Sequence, residues 1–272
     1  MQGASRESYR AATQKLTELA ASATPEQLTG AADELLAVAR LLEREPRLRR
    51  ALADPARSGT ERGELLGSVL GGKVGQSTQD LLATLVSGRW SSAGDLLDAT
   101  ETLGVDALLA SADKADDLGE VEDELFRFGQ VVDGAPVLAA TLADSSVEVE
   151  RRATLVDSLL GGKAKPATVR LAQLALAGYG GRGFAASLTR LVEAAAARRD
   201  RQVAYVTVSA PLSEAEEQRL GSRLSEMYGR EVALKITVDP KILGGLSVLV
   251  GNDLYDGTVL RKLQQTRAAL AK

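Results

Sequence analysis

The feature that most constrains the fold of this chain is an internal repeat with a period of 90 residues. Residues 34–88 align without a gap on residues 124–178, and 17 of these 55 positions carry the same residue, where composition alone gives roughly 5. The longest identical run, Leu70-Gly71-Gly72-Lys73, recurs as Leu160-Gly161-Gly162-Lys163. Whatever structure the first copy forms, the second copy is therefore expected to form as well.

The repeated unit has the pattern of amphipathic helices. Leucine and alanine recur at the 3.6-residue period, and aromatic residues make up only 3% of the chain, which is typical of packed helices. Thr24-Pro25-Glu26-Gln27 is predicted to open a helix, with Thr24 as N-cap and Gln27 completing a capping box. The stretch 92–110 corresponds both to the first helix and to the stretch 182–200. This double correspondence predicts one long central helix that closes the first bundle and opens the second.

After Arg201 the pattern changes to strands. Val203–Val208 is β-branched, Ser213–Glu216 has the residues of a capping box, and Val232–Val238 alternates apolar with polar or small residues. A further strand is predicted at Leu246–Val250, and Asp256 is predicted to cap a last helix that carries Val259, Leu263, Thr266 and Leu270. The predicted fold is mainly α, a duplicated helical bundle in residues 1–110 and 92–200, followed by a small α+β domain of order βαββα in residues 201–272.

Composition excludes several classes of function. The chain has no His and no Cys, which removes Ser-His-Asp and Cys-His catalysis, the usual zinc sites and disulfides. Its net charge of −4 and pI of about 5.2 argue against a general nucleic-acid binder. No signal region opens the chain, and no apolar run approaches the roughly 18 residues of a membrane-spanning helix. We therefore expect a soluble protein without metal or cofactor, which can dock to a membrane complex.

Two glycine-rich motifs resemble nucleotide-binding loops. Gly67–Lys73 fits G-x-x-x-x-G-K, but Val74 stands where a magnesium-binding Ser or Thr belongs, and a helix precedes the loop where a strand is required. Asp157 replaces the first glycine in the second copy. A glycine helix end with a lysine near the negative pole of the helix dipole explains both copies. Gly178–Gly183 fits G-x-G-x-x-G, but it follows a helix-like segment and is interpreted as a helix-to-helix connection.

Two charged segments have a structural and a functional interpretation. Arg44–Arg50 is basic, and the second copy has no arginine at the corresponding positions. A solvated helix face is the default, and contact with an acidic partner segment is the alternative. The acidic run Asp113–Glu124 lacks the spacing of a calcium loop and is predicted to be surface.

The C-terminal part resembles a known family. The segments Val206–Ser213, Val232–Gly251 and Asp256–Val259 are similar to the delta subunit of bacterial F-type ATP synthase, whose mitochondrial relative is the oligomycin-sensitivity-conferring protein. Leu249 and Thr258 depart mildly from the family pattern. The duplicated bundle is similar to the long delta subunits of actinobacteria.

The resemblance implies a non-catalytic subunit of the peripheral stalk, which holds the catalytic head still against rotor torque. It implies two partners, the N-terminal helix of the alpha subunit and the C-terminal region of the b subunit, at the cytoplasmic face of the cell membrane. By analogy, the alpha helix would lie in a groove between the first and fifth helices. That places six residues at the site: Tyr9, Ala12, Leu16, Leu81, Leu82 and Leu85.

Two other hypotheses remain open from the sequence. One is a helical-repeat adaptor unrelated to ATP synthase. The other is a nucleotide-binding enzyme that uses the Gly67–Lys73 loop.

Overall fold

The computed structural model describes residues 3–199, 201–229, 231–251, 253–259 and 261. Its helical region runs through α1 (Gly3–Ser22), α2 (Pro25–Arg44), α3 (Pro46–Leu52), α4 (Gly59–Leu70), α5 (Gln76–Ser87), α6 (Ala93–Lys114), α7 (Leu118–Asp133), α8 (Pro136–Ala143), α9 (Val149–Leu160), α10 (Pro166–Ala177) and α11 (Phe184–Arg198). The region that follows contains β1 (Arg201–Val208), α12 (Glu214–Tyr228), β2 (Glu231–Val238), β3 (Leu246–Val250) and β4 (Asp253–Asp256). This order confirms the predicted fold class.

Helix starts follow the local capping signals. The Thr24 side chain accepts a hydrogen bond from the Gln27 N–H at 3.3 Å, and the Gln27 side chain accepts one from the Thr24 N–H at 2.8 Å. The same reciprocal pair forms at Ser58 with Glu61 and at Ser213 with Glu216. Each pair satisfies N–H groups that have no partner inside the helix.

The sequence repeat is also a structural repeat. Helices α4 and α5 cover residues 59–70 and 76–87, and α9 and α10 cover the same positions plus 90. Arg62 and Arg152 occupy equivalent positions and are both buried, as are Thr78 and Thr168. The duplicated unit predicted from the sequence is therefore present in the helices themselves.

The glycine loop after α4 is a helix end. Gly71 adopts the left-handed conformation, with φ at 48°, and its N–H donates to the Gly67 carbonyl. In the second copy, Gly162 takes the positive φ, and the Lys163 ammonium donates to the Leu159 carbonyl at 3.3 Å. Both loops terminate helices by glycine geometry, and in the second copy the lysine also caps a carbonyl.

Helix α6 is continuous from Ala93 to Lys114, as the double correspondence predicted. It packs on α1, α2, α3 and α5, and also on α10. Gly104 lies where α6 crosses α2, because a Cβ there would meet the Leu36 side chain at 2.8 Å. The chain forms two compact units, one of residues 1–121 and 142–187 and one of residues 122–141 and 188–272. The division into two bundles that share α6 stays a prediction.

The second unit contains a four-stranded sheet of order β2-β1-β3-β4. Strands β1 and β2 pair in parallel, while β3 is antiparallel to both β1 and β4. Strand β4 is an addition to the three predicted strands.

Both faces of this sheet are used. On one face, Val206 and Val248 belong to an apolar core with Leu224 of α12. On the other face, Tyr205 lies near Phe126 of α7, with ring centroids 6.3 Å apart, and Gln130 donates to Thr237. Part of α7 therefore belongs to the same unit as the sheet.

The predicted cap of the last helix is wrong by two residues. Asp256 ends β4 and accepts the Thr258 N–H at 3.0 Å, while Thr258 accepts the N–H of Arg261 at 3.4 Å and so occupies the N-cap position. Val259 begins the helical turn. The predicted helix residues Leu263, Thr266 and Leu270 lie outside the described residues.

Candidate partner-binding surfaces

The six residues predicted for the alpha site lie at the packing contact of α1 with α5 and α6. Helices α1 and α5 contact each other directly. Five of the six side chains, those of Ala12, Leu16, Leu81, Leu82 and Leu85, are at most 2% exposed. They form the interior of the first unit in the free chain, and their contact with a partner stays a prediction.

Tyr9 connects α1 to α6. Its hydroxyl donates a hydrogen bond to the carboxylate of Asp106. Burial, and then the nearby Asp106 charge, raise the pKa of Tyr9 far above its ordinary value. The phenol therefore stays protonated and remains a donor throughout the physiological range.

Replacing Tyr9 with phenylalanine is expected to lower the free energy of unfolding by about 1–2 kcal/mol at neutral pH, because the hydrogen bond from the Tyr9 hydroxyl to Asp106 is lost. Unfolded tyrosine ionises near pH 10, so the stability from the raised pKa of Tyr9 is fully present below that pH and is lost progressively as the pH rises from there toward the folded-state pKa. The variant should therefore lose less stability than the parent between about pH 9 and about pH 11. Urea unfolding across this range measures both effects, and equal alkaline losses would contradict the role of Tyr9.

Sequence reasoning did not predict the long-range contacts of two serines that hold the start of α1. Ser8 donates to the Arg89 carbonyl at 2.8 Å, and Ser5 donates to Asp95 at 2.6 Å. The close approach explains Gly88, because a Cβ there would lie 2.4 Å from the Ser8 hydroxyl. A serine within a helical segment gives no sequence signal for such contacts.

Two grooves open on the first unit near the predicted site. One, of about 440 Å³, is lined by Leu19 of α1, Ala31 of α2, and Gln76 and Ser77 of α5. The other, of about 350 Å³, lies between α4 and α5 over Leu66, Leu70 and Leu82. In the second copy, a hydrogen bond of 2.8 Å from Gln173 to Asp157 joins the corresponding helices, whereas the first copy has Ala83 and Gly67 there.

The second unit carries an exposed apolar row on its sheet. Leu249 of β3 lies opposite Tyr205 of β1 and Leu254 of β4. Leu249 is 39% exposed and Leu254 is 61% exposed. Exposed apolar side chains that are neighbours across strands form a surface suited to an amphipathic partner.

The prediction that the acidic run is surface is wrong for Glu122. This side chain is 1% exposed and accepts from Lys235 of β2 at 2.8 Å and from Arg199 at 3.1 Å. Lys235 is 5% exposed and also contacts Asp123 at 2.6 Å. The carboxylate can be buried because the fold brings Lys235 of β2 and Arg199 after α11 to it, which the local run of acids could not reveal.

Both loop motifs lie between helices. Gly178–Gly183 connects α10 to α11 through a 3₁₀ turn at Tyr179–Gly181. The Gly180 N–H donates to Glu101 at 2.9 Å.

Within the described residues, no helix combines the length and apolar character that a bilayer crossing requires.

The fold combines duplicated helices, open grooves and a sheet with an exposed apolar row. This combination is typical of proteins that bind other proteins. The chain belongs to the ATP synthase delta (OSCP) subunit family, whose model matches residues 14–103 and 105–270.

Full-length relatives agree with this family. The chain is 64% identical to the ATP synthase subunit delta of Salinispora arenicola over 268 residues, covering 98% of both chains. It is 44% identical to the subunit delta of Streptomyces avermitilis over 269 residues, covering 99% of this chain and 98% of the relative. Among solved structures, a Toxoplasma gondii mitochondrial ATP synthase hexamer matches with a TM-score of 0.38 and 17% identity, covering 62% of this chain and 95% of that chain.

Family membership gives the function at the level of the complex. The chain is a structural, non-catalytic subunit of the peripheral stalk of ATP synthase, and it associates with the membrane through that complex. This excludes both alternatives that the sequence left open, the unrelated adaptor and the nucleotide-binding enzyme. The chain also has the length of the long actinobacterial delta subunits.

Proposed function

We propose that this stator subunit joins the N-terminal helix of the ATP synthase alpha subunit to the C-terminal region of the b subunit, at the cytoplasmic face of the cell membrane. The observation that carries the proposal is the full-length similarity to delta subunits, combined with apolar surfaces on two different compact units. A linker between two partners needs two such surfaces.

The alpha helix is proposed to bind along the contact between α1 and α5. The six predicted residues lie in the packed interior of this contact. The surface that a partner helix can reach is the groove of about 440 Å³ at the end of the contact. Leu19 lines this groove and is half-buried. An amphipathic helix could cover Leu19 with its apolar stripe while its polar face remains in water.

The b subunit is proposed to bind the exposed side chains of Leu249 and Leu254, which lie beside the half-buried Tyr205. Leu249 is one of the two residues that depart from the family pattern, and in the structure it lies between Tyr205 and Leu254. Leucine at this position adds apolar area where burial by a helix contributes about 25 cal/mol for each Å² removed from water.

A crossed binding experiment tests both contacts. Leu19→Asp should weaken binding of an alpha N-terminal peptide by about tenfold or more and leave a b C-terminal segment unaffected. Leu249→Asp combined with Leu254→Asp should show the reverse. Both variants change accessible side chains, so the fold should be kept, and circular dichroism checks this.

Each variant is the matched control for the other. If both variants weaken both peptides equally, the effect is a general loss of structure or charge. Unchanged affinity of the alpha peptide for Leu19→Asp would contradict the α1–α5 site, and unchanged affinity of the b segment for the double variant would contradict the sheet site.

A further inference from the structure

A basic corner lies between α2 and α3, formed by Arg44, Arg47, Arg49 and Arg50. These four arginines fall within seven residues that contain one acid, Glu45, in a chain whose net charge is −4. Arg44 ends α2, and α3 begins at Pro46. The corner therefore concentrates positive charge on an otherwise acidic molecule.

Three of these arginines point their charge into solvent. Arg44, Arg47 and Arg50 are exposed, and Arg47 and Arg50 are three positions apart on α3, which places them on one face of the helix. Among the side chains that the structure describes, none forms an ion pair with these three arginines. These three guanidinium groups are therefore free to pair with groups of another molecule.

Arg49 is held differently. One of its terminal nitrogens donates to the Leu42 carbonyl at 3.4 Å, near the end of α2, and its Nε is buried without a hydrogen-bond partner. The side chain lies back against the helix end, so its charge adds to that of the three exposed arginines.

The second copy shows that the fold does not need this charge. Helix α8 covers the positions of α3 plus 90, extended by one residue at its end. It carries Val137, Ala139 and Ala140 where α3 carries three arginines, and Gly134 corresponds to Arg44. Since the same helix forms without arginines, the fold does not require the three exposed arginines of the first copy, whose like charges repel one another.

We propose that the basic corner docks an acidic segment of a partner protein, through carboxylate side chains. The segment Arg40–Arg57 contains no lysine, and the planar guanidinium fork of arginine pairs with carboxylates in two parallel hydrogen bonds. This surface is separate from the alpha and b sites proposed above and exists in one copy of the repeat only.

Carboxylates fit the corner better than nucleic acid or a lipid surface. Glu43 and Glu45 are exposed beside the arginines, and they would repel a continuous array of phosphates. Helices α2 and α3 contain no aromatic residue that could stack on a base or anchor in a bilayer interface.

The test measures binding of the full chain to a fluorescein-labelled peptide of alternating Glu and Ala, and to the same peptide with Gln in place of Glu. The parent should bind the Glu peptide saturably and more tightly than the Gln peptide. Arg47→Glu combined with Arg50→Glu should weaken binding of the Glu peptide by about tenfold or more.

The matched control is Arg151→Glu combined with Arg223→Glu. Both arginines are exposed, and the change in net charge is the same. Equal weakening in the two double variants would show general electrostatics and overturn the proposal, as would equal binding of the Glu and Gln peptides by the parent.

Anionic vesicles of phosphatidylglycerol and phosphatidylcholine form the last arm. Vesicle binding that depends on Arg47 and Arg50, without binding of the Glu peptide, would assign the corner to a lipid surface instead. Thermal unfolding and unchanged binding of the alpha and b peptides show that Arg47→Glu with Arg50→Glu keeps the fold, so that a loss of Glu-peptide binding reports on the corner itself.

Discussion

Replacing Lys235 with alanine is expected to lower the free energy of unfolding by about 3–5 kcal/mol. The substitution removes the ammonium that lies 2.8 Å from Glu122 and 5.7 Å from the centre of the Phe126 ring. Glu122 is 1% exposed, so its charge would remain in the protein interior with only Arg199 as cation. A buried charge that loses its partner costs more than the pair contributed, because desolvation is no longer offset.

Urea unfolding of the full chain measures this effect, with Lys241→Ala as control. Lys241 is exposed, and its replacement should change stability by no more than about 0.5 kcal/mol. Lys235→Met combined with Glu122→Leu should recover most of the stability, because Asp123 and Arg199 can reach water. A double variant as unstable as Lys235→Ala would show that shape, and not the unpaired charge, determines the loss.

Replacing Arg152 with alanine is expected to lower the free energy of unfolding by about 3 kcal/mol. Its guanidinium donates to three backbone carbonyls, those of Leu142 at 2.9 Å, Val147 at 3.1 Å and Leu176 at 3.3 Å. These carbonyls come from the end of α8, the turn before α9 and the end of α10. Removal of the guanidinium takes this donor away from carbonyls of three chain segments, and the bonds to Leu142 and Leu176 are buried.

The repeat supplies two controls for Arg152. Arg62, its equivalent in the first copy, donates to only two carbonyls, at 3.4 Å to Ser58 and 3.1 Å to Ser87, so Arg62→Ala should cost less. The neighbouring Arg151 is exposed, and Arg151→Ala should be nearly neutral. If Arg62→Ala and Arg152→Ala lower the free energy of unfolding equally, the number of carbonyls that each arginine binds does not determine the loss.

These two substitutions probe features that sequence reasoning could see only in part. The identity of Arg62 and Arg152 was visible in the repeat, but a charged residue on an amphipathic helix normally faces water. Lys235 occupies a polar position in the alternation of β2, which predicts a solvent-facing side chain and gives no signal of its burial. Its partner Asp123 lies 112 positions earlier in the chain, and no local pattern connects the two.

The candidate partner site could likewise be predicted only in part. The contact of α1 with α5 was anticipated from the resemblance, and the helices that form it have the predicted apolar stripes. The solvent exposure of these side chains could not be predicted from the sequence. Leu81 and Leu85 are buried only because other helices cover them, and an exposed leucine looks the same in the sequence. The groove at Leu19 exists only because α2 lies beside α1 and α5.

The sequence by itself determined what depends on residues close together in the chain or on comparison of the chain with itself. Capping boxes at Thr24 and Ser213, the helix end at Gly71, the alternation of β2 and the 90-residue repeat are of this kind, because their interactions close within a few residues. Only the tertiary structure decided the burial of Glu122 and Lys235, the use of Arg152 as a donor to three segments, and the pairing of Leu249 with Leu254. The physical reason is that burial and long-range pairing are properties of packed elements, and the same side chain is stabilising or costly according to which partner the fold brings to it.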